Sequence, residues 1–168
     1  MKLILFSFLI LFSITILISL LVPSHIRVSK TINIKAGTEN IFRYIDDLDK
    51  WRKWHPAFKN LPSEKIELID SIKGKLTKLK VDKTMISLLL VKKDTVEAEF
   101  EIPGKNPVIS DWFISAQPEP GIQTLHASMD FVLRWYPWEK FSSLFFEKTY
   151  GAQLEQGLVN LKTLAEQR

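Results

Sequence analysis

Residues 122–136 read "IQTLHASMDFVLRWY", and alternate positions fall into two distinct sets. Leu125, Ala127, Met129, Phe131, Leu133 and Trp135 share one parity, while Thr124, His126, Ser128, Asp130 and Arg134 share the other. Side chains of a strand alternate between the two faces of a sheet, so this pattern predicts a strand with one face toward a core and one toward water. Upstream, "TVEAEFEIP" (95–103) repeats the division, with Val96, Ala98, Phe100 and Ile102 against Glu97, Glu99 and Glu101. Further period-two runs at 65–70, 75–81, 84–93 and 107–116 are bounded by Gly74, by Gly104 with Asn106-Pro107, and by "QPEPG" (117–121). Connections this short join antiparallel neighbours. The predicted centre is a run of consecutive antiparallel strands, and the buried side of the two strands quoted carries no ionisable group.

The period changes on either side of this run. Pro137 and Trp138 introduce a short helix over 138–147, and "YGAQLEQGLVNLKTLAEQ" (150–167) sets Tyr150, Leu154, Leu158, Leu161 and Ala165 on one helical stripe. Before the strands, "HIRVSKTINIK" (25–35) carries Val28, Ile32 and Ile34 on one parity and reads as a first strand. Gly37 breaks it, Thr38 is the expected N-cap, and "ENIFRYIDDL" (39–48) spaces Ile41, Phe42, Ile45 and Leu48 as a helix. The aromatic and basic "DKWRKWHPAF" (49–58) follows. From Pro56 through "NLPSEK" (60–65) the chain is expected to be irregular.

Residues 3–22, "LILFSFLILFSITILISLLV", contain no charge, no Pro and no Gly, and about 20 apolar residues are what one helical crossing of a bilayer needs. A cleavable signal peptide is the competing account, but it needs a shorter apolar core and a small-x-small cleavage site, which Val22-Pro23-Ser24 matches poorly. Ser7, Ser13, Thr15 and Ser19 are compatible with a span, because hydroxyls in a helix bond back to their own backbone. The expected organisation is a single-pass transmembrane anchor over 1–23 and one folded domain over 24–168. Lys2 stands on one side of the span against Arg27, Lys30 and Lys35 on the other, a balance that leans toward a cytoplasmic domain. With 46% hydrophobic and 25% charged residues the composition argues against disorder and against a polytopic membrane protein. The absence of cysteine removes disulfides, thiolate catalysis and cysteine metal sites without locating the chain.

Few residues invite chemistry. His126 and Asp130 lie on one strand, four residues and therefore roughly 13 Å apart, which is too far to touch. Asp46, Asp47 and Asp49 follow the first helix near His55; a His-Asp pair and a solvated helix end are both open, the second being the simpler. Three scattered histidines, with no Gly-rich phosphate loop and no Gly-x-Ser-x-Gly elbow, predict no metal, no cofactor and no catalytic residue. Lys73, Lys75, Lys78, Lys80 and Lys83 make a basic stretch, read either as a solvated strand face or as a contact for anionic lipid. Glu97, Glu99 and Glu101 argue against nucleic acid as a partner.

The order strand, helix, "DDLDKWRKWHPAF", antiparallel strands and C-terminal helix resembles the SRPBCC superfamily, the START-like or polyketide cyclase/dehydrase and lipid-transport proteins. Trp51, Trp54 and Pro56 after the first helix and "GLVNLK" (157–162) carry the resemblance, which covers residues 26–167. It implies an α+β helix-grip fold, a curved antiparallel sheet wrapped around the long C-terminal helix, here preceded by one transmembrane helix. It further implies a cavity for a small hydrophobic or lipid-like ligand, lined by Val96, Ala98, Phe100, Trp112, Ile114, Leu125, Ala127, Met129 and Phe131 from the sheet. Tyr150, Leu154 and Leu158 would face them, with Trp54 and Phe58 packing inward at one end while Arg52, Lys53 and Lys59 stay in solvent. The domain is expected to act as a monomer. Two other readings stay open: a cyclase, aromatase or dehydratase using His55 or Tyr150 in the same pocket, and a tethered interaction domain whose core simply fills.

Overall fold

In the computed structural model, which describes residues 2–59, 65–119 and 121–167, seven strands form one curved antiparallel sheet among the described residues. They are β1 (His25–Ile34), β2 (Ile66–Ile72), β3 (Lys75–Val81), β4 (Thr84–Val91), β5 (Thr95–Glu101), β6 (Val108–Ala116) and β7 (Gln123–Val132). The sheet order is β1-β7-β6-β5-β4-β3-β2. Strands β2 to β7 form a meander, whereas β1 pairs with β7, so the chain between β1 and β2 crosses from one edge of the sheet to the other. That crossing carries α2 (Thr38–Ile45), α3 (Leu48–Trp54) and α4 (Pro56–Lys59). After β7 come α5 (Pro137–Ser143), a π-helical turn (Glu147–Gly151) and α6 (Ala152–Glu166), which lies against β1 and β7 on the concave face. The architecture is the α+β helix grip expected from the resemblance.

The alternation read from the sequence is visible as burial. Val96, Ala98 and Phe100 are buried while Glu101 is exposed, and Leu125, Ala127, Met129 and Phe131 are buried on β7. The β2–β3 hairpin turns on Lys73 and Gly74, both at positive φ, as a two-residue loop between right-twisted strands requires. Helix α1 (Lys2–Leu20) is long and apolar enough to cross a membrane, and of its described side chains only Ser19 is buried in the protein. Ser13 and Thr15 donate back to the Leu9 and Leu11 carbonyls at 2.8 and 2.9 Å.

Several expectations are corrected. Thr38 is the first residue of α2 and does not cap it; Gly37 occupies the cap position without a side-chain bond. The helix expected over 39–48 stops at Ile45, and a second one begins at Leu48, because Asp47 turns extended and accepts from the Asp49 N–H at 3.1 Å as an N-cap. The chain from Pro56 to Lys59, expected to be irregular, is helical and forms α4. Most of "NLPSEK" and the Lys59 side chain lie outside the described residues. β7 ends at Val132, so Trp135 leaves the concave face and is 65% exposed. Asp46 and Asp47 are buried, not solvated: Asp46 pairs with Lys75, and Asp47 also accepts from the Leu76 N–H at 3.1 Å, which fastens the helix break to β3.

Candidate functional site

Helices α3 and α4 fill one half of the concavity. Trp51, Trp54, His55 and Phe58 recur at three- and four-residue spacing, which brings them to one face, and all four are buried. The Trp51 ring lies 5.3 Å from Trp54 and 5.8 Å from Trp112, and Trp54 lies 5.0 Å from Trp112. Indole N–H groups of Trp51 and Trp54 donate to the Ile45 and Tyr44 carbonyls, each at 2.9 Å, and so satisfy acceptors that the end of α2 leaves without helical partners. Pro56 lacks an N–H and disfavours helical geometry in the residue before it; His55 accordingly turns extended at ψ 123°, and Pro56 opens α4. Asn160 Nδ2 on α6 donates to the Trp54 carbonyl at 2.9 Å. One turn earlier is Gly157, where a Cβ would stand 3.2 Å from Pro56 Cδ, so α6 docks on this corner at a distance that favours glycine. "GLVNLK" is therefore a docking seam.

His55 is enclosed by rings. Its imidazole stacks near Trp51 at 5.4 Å and 14°, with Trp54, Phe58, Phe100 and Trp112 around it. Burial away from water disfavours the charged form and holds its pKa at about 4, below the ordinary 6.5. Nδ1 accepts from the Ala57 N–H at 3.3 Å, which leaves the proton of the neutral ring on Nε2.

The other half of the concavity is hollow. An inner cavity of about 200 Å³ is bounded by His55 and Phe58, by Val81, Thr84 and Ile86 at the β3–β4 hairpin, by Phe100 and Met129, and by Gln153 and Leu154 of the C-terminal helix. An outer cavity of about 210 Å³ is bounded by Lys105 and Asn106 of the β5–β6 connection, Val132 and Leu133 at the end of β7, and Glu139, Ser142 and Phe146. Both share Ile102, Val108, Phe131 and Tyr150. Tyr150 stands between the chambers, its ring 4.6 Å from Phe131 and 5.1 Å from Phe146.

Of the residues expected in the pocket, Phe58, Phe100, Met129, Phe131, Tyr150 and Leu154 line the inner cavity. Trp54, Val96, Ala98, Trp112, Ile114, Leu125, Ala127 and Leu158 are also buried, but they stand in the solid half with the tryptophan cluster. The parity of a strand tells which face is concave, not how far along the strand the filling ends. Leu133, on the core parity of the β7 stretch, lines the outer cavity; Val81, Thr84, Ile86, Val108 and Phe146 are not expected from the pattern, and most lie at strand or helix ends, where it fades.

Asp130 and His126, on the convex face, are each paired. Arg27 holds Asp130 through Nε–Oδ1 at 2.7 Å and Nη2–Oδ2 at 2.5 Å, and this bidentate bond keeps the Asp130 carboxyl below its ordinary range. His126 instead meets Ser115 Oγ at 3.0 Å. No cluster of three or more His, Cys, Asp or Glu suited to a metal ion occurs among the described residues.

Residues 25–166 match the family model described as polyketide cyclase / dehydrase and lipid transport. The chain belongs to this family. No curated protein matches it by sequence. Among solved structures, a START superfamily protein from Mycobacterium smegmatis is 16% identical, with a TM-score of 0.58 over 84% of this chain and 97% of the other. The Zhui aromatase/cyclase from Streptomyces sp. R1128 is 17% identical, with a TM-score of 0.61 over 86% of this chain and 95% of the other. The di-domain aromatase/cyclase StfQ of the steffimycin pathway is 11% identical, with a TM-score of 0.62 over 86% of this chain and 52% of the other. Likeness at these identities shows the START-like fold of the family and not a shared substrate.

Proposed function

We propose that the chain is a membrane-anchored START-like domain that binds a small hydrophobic or lipid-like ligand in the two-chambered cavity. The observation that supports this reading is the hollow half of the concavity, whose shared wall is Ile102, Val108, Phe131 and Tyr150. Joined past Tyr150, the chambers approach the roughly 300–1,000 Å³ of pockets that enclose small molecules. Most of the lining is apolar, and the Tyr150 hydroxyl, Thr84, Gln153 and Ser142 offer a few polar groups to orient a ligand. Helix α1, 19 residues or about 28 Å long, matches the hydrocarbon thickness of a bilayer and serves as the anchor. The balance of Lys2 against Arg27, Lys30 and Lys35 favours a cytoplasmic domain, which a C-terminal reporter fusion decides.

Native mass spectrometry of residues 24–168 with N-phenylnaphthylamine or a fatty acid tests the pocket. Binding that Met129→Trp abolishes, with the fold retained, is the expected result. Failure of every apolar probe to bind the wild-type domain refutes the proposal.

A second reading, an enzyme of the cyclase or aromatase type, is supported by one observation: His55 and Tyr150 line the same chamber. A ring held at about 4 is a weak proton acceptor near neutral pH, which places binding ahead of catalysis.

A further inference from the structure

The strand register places the cavity and the anchor at the same end of the molecule. His25 pairs with Val132, Phe131 with Val108, and Val108 with Phe100, while Val81 and Thr84 close the neighbouring hairpin. The residues around both chambers therefore cluster at the sheet end where the chain arrives from α1. Lys140 on α5, itself 3% exposed, fixes the junction: its Nζ donates to the Val22 carbonyl at 2.9 Å and to Ser24 Oγ at 2.6 Å. Ser19, near the end of α1, is buried at this contact between α1 and α5. Helix α5 thus cannot lie far from the point where the span ends, and α5 and the residues after it wall the outer chamber with Glu139, Ser142 and Phe146.

Helix α5 and the residues on either side of it carry large apolar side chains that no described residue covers. Trp135, Trp138, Leu144 and Phe145 are each 64–66% exposed. Tyr136 links the two indoles, with ring centroids 5.0 Å from Trp135 and 4.8 Å from Trp138. The basic groups in this stretch are engaged, Arg134 with Glu139 and Lys140 with the junction, which leaves an aromatic and aliphatic ledge. Aromatic side chains with polar edges concentrate at the boundary between headgroups and acyl chains, and apolar side chains on a short helix beside them enter it.

We infer that this ledge, Trp135 to Phe145, is a second membrane contact that lies in the bilayer interface beside the end of α1 and turns the outer chamber toward the lipid. The inference rests on the anchor reading above and makes the bilayer the source of the ligand. The full chain reconstituted in phosphatidylcholine/phosphatidylglycerol vesicles tests it through tryptophan emission, with and without brominated acyl chains. Trp51, Trp54 and Trp112 are at most 1% exposed and sit in the core, so bromolipid quenching should come from Trp135 and Trp138. Loss of most of the quenching in the Trp135→Phe/Trp138→Phe variant is the expected outcome. Equal quenching of variant and wild type, or no quenching of a wild type that floats with the vesicles, overturns the inference. Failure to float overturns the anchor and the inference together. Quenching without uptake of N-phenylnaphthylamine into the domain upholds the ledge and refutes the pocket. As a second readout, Leu144→Ser/Phe145→Ser should slow transfer of vesicle-loaded probe while leaving affinity for free probe unchanged, and an unchanged transfer rate counts against the ledge.

Discussion

Replacing His55 with Phe should flatten the acid side of the stability profile. In the folded chain the ring is enclosed by aromatic side chains and its pKa is held at about 4, whereas the unfolded chain returns it to the ordinary 6.5. Between these values the unfolded state binds more protons than the folded state, so stability is full above about 6.5, falls as the pH drops toward 4, and levels off below. At about 1.4 kcal/mol per pH unit, a gap of this size amounts to roughly 3 kcal/mol across the window. Phe keeps a ring in the cage, and the one side-chain hydrogen bond it removes among the described residues comes from the N–H of Ala57, an exposed residue that water can reach. Asp130 and Glu139, held low by Arg27 and Arg134, lose their contributions only as the pH falls through the carboxylate range, and they do so equally in both proteins. The difference between wild type and variant therefore isolates His55. Urea unfolding of the full chain in detergent micelles, followed by near-ultraviolet circular dichroism at intervals across the window, measures it. Parallel profiles for the two proteins, or a His55 ring that titrates near 6.5 by NMR, would refute the reasoning.

Gly157→Val should destabilise by about 1–3 kcal/mol, because the branched side chain meets Pro56 Cδ where even a Cβ has 3.2 Å; urea midpoints report it. Asn160→Ala should cost about 1 kcal/mol in the same assay, since the Trp54 carbonyl loses its donor. Trp54→Phe and Trp112→Phe remove similar ring area from the same cluster, but the Trp112 N–H is buried without a partner among the described residues while that of Trp54 holds the Tyr44 carbonyl. Trp54→Phe should therefore be the more damaging by about 1 kcal/mol, and equal losses would contradict the hydrogen-bond account.

Much of this was legible in the residues, and the failures have identifiable causes. Period two in 95–103 and 122–132 specified the concave face because the apolar side chains of these strands fall on one side, although Thr124 and Asp130 on the other side are buried as well. The stripe through Leu154, Leu158 and Leu161 specified the helix lying across that face for the same reason. The helical turn that starts at Pro56 is not legible because Pro56 masks a spacing, 51, 54, 55 and 58, that continues across the break; proline at the first position of α4 interrupts the hydrogen bonds without turning the apolar face away. Trp135 was misassigned because the parity of β7 continues in the sequence past Val132, where the ladder has ended. Asp46 and Asp47 looked solvated because their partners, Lys75 and the Leu76 N–H, are 29 residues away.

The division of the concavity into a filled and a hollow half follows from how its two ends are tied. At the filled end, polar bonds that leave little freedom fix the rings: two indole N–H groups on α2 carbonyls, Asn160 on Trp54, and Gly157 allowing α6 to close on Pro56. At the hollow end, the helix begins with a π turn in which Lys30 pairs with Glu147 at 2.6 Å on the surface, and Gly151 leaves room for that pair. Tyr150 sits in this turn, half-buried, touching Phe131 and Phe146 without a hydrogen bond among the described residues to hold its ring. π turns are rare, mostly single-turn irregularities in α-helices and are frequent at functional sites. Among the described residues the Tyr150 ring is held by dispersion contacts alone, whereas the Trp51 and Trp54 rings are held by hydrogen bonds as well. On the reading proposed above, the room for a ligand and the candidate anchor α1 lie at the same end of the grip.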